Sequence, residues 1–194
     1  MDRQPALNGM MRAILVDWLV EVHMKFRLMP ETLYLTVNIL DRYLSQVPVE
    51  RQKLQLVGVT SLLIACKYEE IYPPEVKDCV YITDRAYTRQ DVLDTEANIV
   101  KALRFELTVP TAYPFLQRFL HITRATKVMK NLASYYLERM LQEYKSLSYR
   151  PSLVAAAAVS LALNNPDVLH YDGYDPDQPP GVVSKYLHDL RTLS

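Results

Sequence analysis

The 194-residue sequence predicts an all-α fold of two tandem five-helix bundles, the second divergent and compressed. Apolar positions recur at three- and four-residue steps, the period of a helix rather than a strand. Val, Ile and Thr are interspersed with Leu, Met, Ala, Glu and Lys, so no strand-like run forms. A single offset also relates the two halves. Asp41-Arg42 has a counterpart in Glu138-Arg139 (138 − 41 = 97), and Leu63-Ile64-Ala65 has one in Ser160-Leu161-Ala162 (162 − 65 = 97).

A first helix is expected over about residues 6–26. Pro30 sits where a first helical turn tolerates proline and opens a second helix to about Ser45, with Pro48 as a stop. The third, about residues 51–70, is apolar nearly all round between Leu54 and Cys66, as befits a central helix packed on every side. Pro73-Pro74 ends it, and a short fourth helix fits residues 75–81. Thr88-x-x-Asp91 resembles a capping box that opens a fifth helix to about Arg104, before Pro110 breaks the chain. In the second copy, residues 151–165 supply an Ala-rich hub, and little room remains between Asn164 and Gly173 for a full fourth helix. Asp175-Pro176-Asp177-Gln178-Pro179-Pro180 marks a loop before a last helix to about Leu193. The boundary is expected between 108 and 109, giving bundles of 1–108 and 109–194.

Composition removes several function classes. Lys plus Arg and Asp plus Glu number 22 each, so no overall field steers the molecule onto a polyanion. No apolar stretch approaches the roughly 20 residues needed to span a bilayer. Cys66 and Cys79 lie among apolar residues, which fits buried thiols in a reducing compartment. The start, Met1-Asp2-Arg3-Gln4-Pro5, lacks a signal-peptide core, and the chain reads as a module of something longer. Four glycines, Gly9, Gly58, Gly173 and Gly181, build neither a phosphate loop nor a dinucleotide fingerprint. His23, His121, His170 and His188 are scattered, and no Cys/His spacing points to zinc. No catalytic residue, metal or cofactor is expected. The basic run Arg118, His121, Arg124, Lys127 and Lys130 is read as a solvated face.

Two features break the amphipathic pattern. Plotted at 100° per residue, the first helix carries Met11, Ile14, Leu15, Trp18 and Val22 on one stripe and Ala13, Val16, Val20 and Met24 on the other. Either the helix is sandwiched within its own domain or one stripe is exposed as a docking groove, suited, with Glu21 at its border, to a peptide with an aliphatic anchor and a basic residue. Charges also intrude on apolar faces. Glu96 falls amid Val92, Ile99, Val100 and Leu103, Lys67 ends the third helix, and Arg12 and Asp41 border helices one and two. These four charges either form internal pairs that hold helices in register, or Lys67 and Glu96 surface together to bind an outside chain.

The run Met11-Arg12-Ala13-Ile14-Leu15-Val16-Asp17-Trp18-Leu19 resembles the opening of the cyclin box. The resemblance continues through Leu40-Asp41-Arg42-Tyr43-Leu44, Lys53-Leu54-Gln55-Leu56-Val57-Gly58 and Ala65-Cys66-Lys67-Tyr68-Glu69-Glu70-Ile71-Tyr72-Pro73-Pro74-Glu75-Val76 to Glu96. It is close to about Pro110 and looser beyond. Mitotic cyclins are most similar, B-type first on the run from Lys25 to Leu35 and A-type second.

The resemblance implies a regulatory subunit, without catalysis of its own, that binds and activates a cyclin-dependent protein kinase and controls G2/M progression, in nucleus and cytoplasm. The five signature box residues of the family match Arg12, Asp41, Leu56, Lys67 and Glu96. It implies that Arg12 and Asp41 pair inside the box, and that Lys67 and Glu96 bind the kinase beside an apolar seat of Ile64, Tyr68, Val100, Phe105 and Leu107. It also implies that Met11, Ile14, Leu15, Trp18, Glu21, Arg51, Leu54 and Gln55 form a patch receiving arginine-x-leucine segments of substrates and inhibitors. Two other classes stand beside this one: a scaffold that docks peptides without activating anything, and transcription-initiation factors that use the same repeat to grip DNA. The second would show a basic face, which the balanced charge lacks.

Overall fold

The computed structural model describes residues 4–165, and every regular element among them is helical. The expected Asp175–Pro180 loop and the last helix lie outside the described residues. The chain divides into two compact units, Met1–Val109 and Pro110–Ser194.

The first unit opens with α1, Gly9–Phe26. It starts three residues later than the periodicity suggests because Asn8 is the N-cap, its side chain accepting from the Met11 amide at 2.9 Å. Arg27 ends the helix in the left-handed region, φ 54°, and the Leu28 amide reaches back to the His23 carbonyl. Helix α2, Pro30–Gln46, has Pro30 in its first turn as expected. Gln4 ties the preceding segment to the end of α2: its amide donates to the carbonyls of Leu44 and Val47, both at 2.6 Å, and its oxygen accepts from the Val49 amide.

The expected third helix is in fact two elements, a 3-10 turn at Arg51–Lys53 and α3, Leu54–Glu69. Every residue from Leu54 to Cys66 except Gln55 is buried, and α1, α2, α4 (Val76–Ile82) and α5 (Arg89–Ala102) all pack on it. Reciprocal capping boxes open both later helices, Glu75 with Asp78 and Thr88 with Asp91. Helix α5 stops two residues short of expectation. Arg104 and Phe105 both adopt left-handed φ, 52° and 60°, which no α-helix continues.

In the second unit α6, Ala112–Ile122, and α7, Lys127–Gln142, both pack on α8, Pro151–Leu163; a 3-10 turn at Tyr144–Ser148 precedes α8. The 97-residue offset now has structural meaning: shifted by it, Pro30 and Leu54, which open α2 and α3, fall on Lys127 and Pro151, which open α7 and α8. Four consecutive alanines, Ala155 to Ala158, let α8 serve as hub with small side chains. The basic residues Arg118, His121, Arg124, Lys127 and Lys130 are all exposed.

One charge pair lies inside the first unit. Arg12, fully buried, donates from Nε to Asp41 Oδ1 at 2.6 Å and from Nη2 to Oδ2 at 2.7 Å, a two-pronged link from α1 to α2. Burial pushes the Asp41 carboxyl above its ordinary value, and the hydrogen bonds and charge of Arg12 pull it back. Removing one partner strands the other. Arg12→Ala should cost about 3–5 kcal/mol in urea unfolding, whereas the paired Arg12→Met/Asp41→Leu change should cost far less.

The two thiols are sealed. Burial, joined by the neighbouring acidic groups, pushes Cys66 and Cys79 up to about 12. At pH 8 the native protein should therefore leave both unreacted with a colorimetric thiol reagent, and denaturant should release both.

Candidate functional site: two surfaces of the first unit

Lys67 leaves the buried length of α3 in its last turn, and Glu96 stands midway along α5. Their side chains meet at 2.5 Å, Lys67 Nζ donating to Glu96 Oε1. The pair is at the surface, with the Lys67 side chain 47% and that of Glu96 18% exposed. This separates it from the enclosed Arg12 and Asp41, though both pairs join helices of the first unit.

The apolar groups around it differ in access. Tyr68, next to Lys67, is half exposed and shares a 2.5 Å hydrogen bond between its hydroxyl and that of Thr108. Val100, one turn beyond Glu96, and Leu107 are half-buried. Phe105 is 73% exposed on the left-handed turn after α5. Ile64, implied as part of the seat, is buried on α3.

The turn that carries Phe105 is held from several directions. The Phe105 amide donates to the Val100 carbonyl and the Glu106 amide to that of Leu103. Arg42 Nη1 donates to the Glu106 carbonyl at 2.8 Å, and Tyr68 anchors Thr108. Two successive non-glycine residues in the left-handed region cost roughly 1–2 kcal/mol each, and such strain persists where the surroundings enforce it. Its result is a largely exposed aromatic ring on the turn that follows α5.

Sequence reasoning missed Arg42 and Thr108 here; Arg42 had served only as a mark of the repeat. It also passed over Ile71 and Tyr72, both almost wholly exposed just past α3. Two apolar residues before Pro73-Pro74, beyond the reach of any helix face, were the available signal. Glu70 fixes this end of α3, accepting from the Met29 amide at 2.7 Å and the Thr32 hydroxyl at 2.6 Å. Burial and the nearby carboxylates Glu31 and Glu70 raise the Glu69 carboxyl above its ordinary value.

The second surface is a groove of about 380 Å³ where α1 meets the start of α3, lined by Met11, Ile14, Leu15, Trp18, Arg51, Leu54 and Gln55. The stripe drawn from the helical wheel does not act as one unit. Leu15 and Val22 belong to the buried face of α1 with Arg12, Val16 and Leu19, whereas Ile14 is 64% exposed. Trp18 lies between, packed partly against a core cluster that includes Leu56, Leu63 and Val92. Glu21, one turn after Trp18, is exposed and does not line the groove. On the opposite stripe Val16 is buried, Ala13 and Val20 are half-buried and Met24 is exposed, so that side of α1 is covered only in part.

A smaller apolar hollow of about 290 Å³ lies between α7 and α8 in the second unit, between Tyr136 and Met140 on one side and Leu153 and Leu161 on the other. No sequence signal singled it out. Among the described residues no group of His, Cys, Asp or Glu is arranged to hold a metal ion, and no helix is long and apolar enough to cross a membrane.

An exposed ion pair and an apolar groove at the other end of α3 are the kinds of surface feature by which proteins bind other chains. Residues 1–108 match the cyclin N-terminal domain and residues 110–191 the cyclin C-terminal domain, so the chain belongs to the cyclin family. Among curated relatives it is 54% identical to Cyclin-B2-1 of Oryza sativa subsp. japonica over 84% of this chain and 39% of that protein. It is 52% identical to the G2/mitotic-specific cyclin-2 of Medicago sativa, again over 84% of this chain and 49% of the relative. The chain thus spans less than half the length of these relatives, which are mitotic cyclins, chiefly B-type. In fold it is similar to a viral cyclin from Herpesvirus saimiri, with a TM-score of 0.78 at 23% identity over 97% of this chain and 80% of the other. It also resembles a chain of the Chaetomium thermophilum CAK complex bound to ATP-gamma-S, with a TM-score of 0.62 at 18% identity, 95% of this chain and 59% of that one.

Proposed function

We propose that this chain is the regulatory subunit of a cyclin-dependent protein kinase, contributes no catalytic group, and acts in nucleus and cytoplasm to drive the G2/M transition. The observation that carries the reading is the surface pair of Lys67 and Glu96, with half-exposed Tyr68 next to Lys67 in the chain and exposed Phe105 on the turn that follows α5. Kinship with relatives named for mitosis supports the cell-cycle assignment.

The mechanism is a population shift. A protein kinase is active only when its β3 lysine pairs with a glutamate on a mobile helix, which must lie inward. A rigid partner that binds the inward position alone moves the equilibrium by its differential affinity for the two states. Tyr68, Val100, Phe105 and Leu107 supply apolar contact, while Lys67 and Glu96 offer one donor and one acceptor at fixed separation. Their mutual bond keeps both charges satisfied before the partner arrives, so they need no rearrangement to meet it.

The groove on α1 and α3 gives the subunit a second task within this reading. Met11, Ile14, Leu15, Trp18 and Leu54 seat the aliphatic residue of an arginine-x-leucine segment, and Glu21 offers a carboxylate to its basic residue. Tethering there raises the local substrate concentration at the kinase to the millimolar order.

Two experiments test these roles. The exchange Lys67→Glu/Glu96→Lys keeps the internal pair but reverses what a partner meets. The melting temperature should stay within about 4 °C, because an exposed pair is worth only about 0–1 kcal/mol. Kinase co-precipitation and histone phosphorylation should both disappear; retained binding with activation rejects the assignment, and binding without activation leaves a docking scaffold. For the groove, Ile14→Asp changes an exposed side chain and spares the core. It should lower the ratio of phosphorylation of a motif-bearing substrate to that of its motif-less version about tenfold. An unchanged ratio rejects docking at this surface.

A further inference from the structure

Glycine inside a helix is unfavourable beside alanine, so a buried mid-helix glycine asks for a packing reason. Gly58 in α3 has one. A Cβ built there would lie 2.8 Å from Leu15 Cδ1, 3.0 Å from Cδ2 and 3.2 Å from Cγ. These approaches involve the whole branched end of Leu15 rather than one flexible tip, so an added methyl would displace the side chain as a body. Gly58 is also one turn beyond Leu54 and Gln55, on the same face of α3. That face is one wall of the groove, and Leu15 contributes to the other.

The direction in which Leu15 could yield follows from its neighbours. Val16, Leu19 and Val22 on α1 are closed off in the core, and α3 lies behind it at Gly58. Met11 and Trp18, one turn to either side, line the groove with it. The open side is therefore the groove itself. At present Leu15 is withdrawn, only 6% exposed.

We infer that Gly58 is a positioning residue for the docking groove: its missing side chain lets Leu15 retreat into the contact between α1 and α3, which leaves the hollow open for the aliphatic anchor of a docking peptide. This rests on the docking role given above, and the test separates the two. In this role Gly58 acts through Leu15.

The probes are a synthetic arginine-x-leucine peptide and the fluorescence of Trp18, the chain's sole tryptophan, measured on the full chain with and without kinase. Gly58→Ala should weaken peptide binding about tenfold while kinase co-precipitation persists. In a Leu15→Ala background, where the branched end is gone, the same change should alter the peptide Kd less than about twofold. Equal losses in both backgrounds, or no loss in either, overturn the inference and leave docking intact. Should wild type bind no peptide, docking fails, and Trp18 decides the inference. An emission change caused by Gly58→Ala only when Leu15 is present supports it, and unchanged emission overturns it. Should Gly58→Ala alone fail to fold, Leu15→Ala/Gly58→Ala must fold and match Leu15→Ala in both readouts, or the inference falls.

Discussion

A single helix buried on every side governs where function can appear in the first unit. From Leu54 to Cys66, α3 shows solvent almost nothing, and four other helices cover it. A helix so placed can carry functional side chains only at its ends. Its first turn gives Leu54 and Gln55 to the groove, and its last gives Lys67 and Tyr68 to the charged surface. At 1.5 Å per residue the two ends are about 20 Å apart along the axis, joined by a close-packed rod. The spacing between the two surfaces is therefore a property of the core, and it is fixed before any partner arrives.

The two ion pairs of this unit show how position decides the task of a charge. Arg12 has almost no access to solvent and Asp41 little, so their worth lies in mutual satisfaction, and they link α1 to α2. Lys67 and Glu96 are identical in kind but lie where α3 emerges from its cover, so water or another chain can compete for them. A surface pair contributes little to stability, which frees it to serve recognition without endangering the fold.

Much of this was legible in the sequence. The uninterrupted apolar run of α3 announced the hub, and charges set among apolar residues announced both pairs because burying one unpaired is so costly. What pattern could not give was which pair would be enclosed, since that depends on how far along the helix its cover extends. The wheel of α1 failed for a related reason. It separated Leu15 from Val16, whereas the core takes both, because a wheel averages over a face that the crossing of α3 divides between core and groove. Ile64 was placed in the seat by resemblance to the family, yet it is buried on α3. Helix ends shifted where capping outweighed periodicity, at Asn8 and at Arg104.

The repeat sharpens the contrast between the units. Shifted by 97 residues, α3 lies over α8, yet the position matching Lys67 is Asn164. Its amide does not project outward but folds back, donating to the Ser160 carbonyl at 2.9 Å at the end of its own helix. The hub of the second unit thus ends in a closed cap where that of the first ends in a half-exposed cation paired with an anion on a neighbouring helix. An Ala-rich helix packs its neighbours closely and needs no charged terminus to do so. The two hubs thus hold matching places in the repeat and differ in how they end.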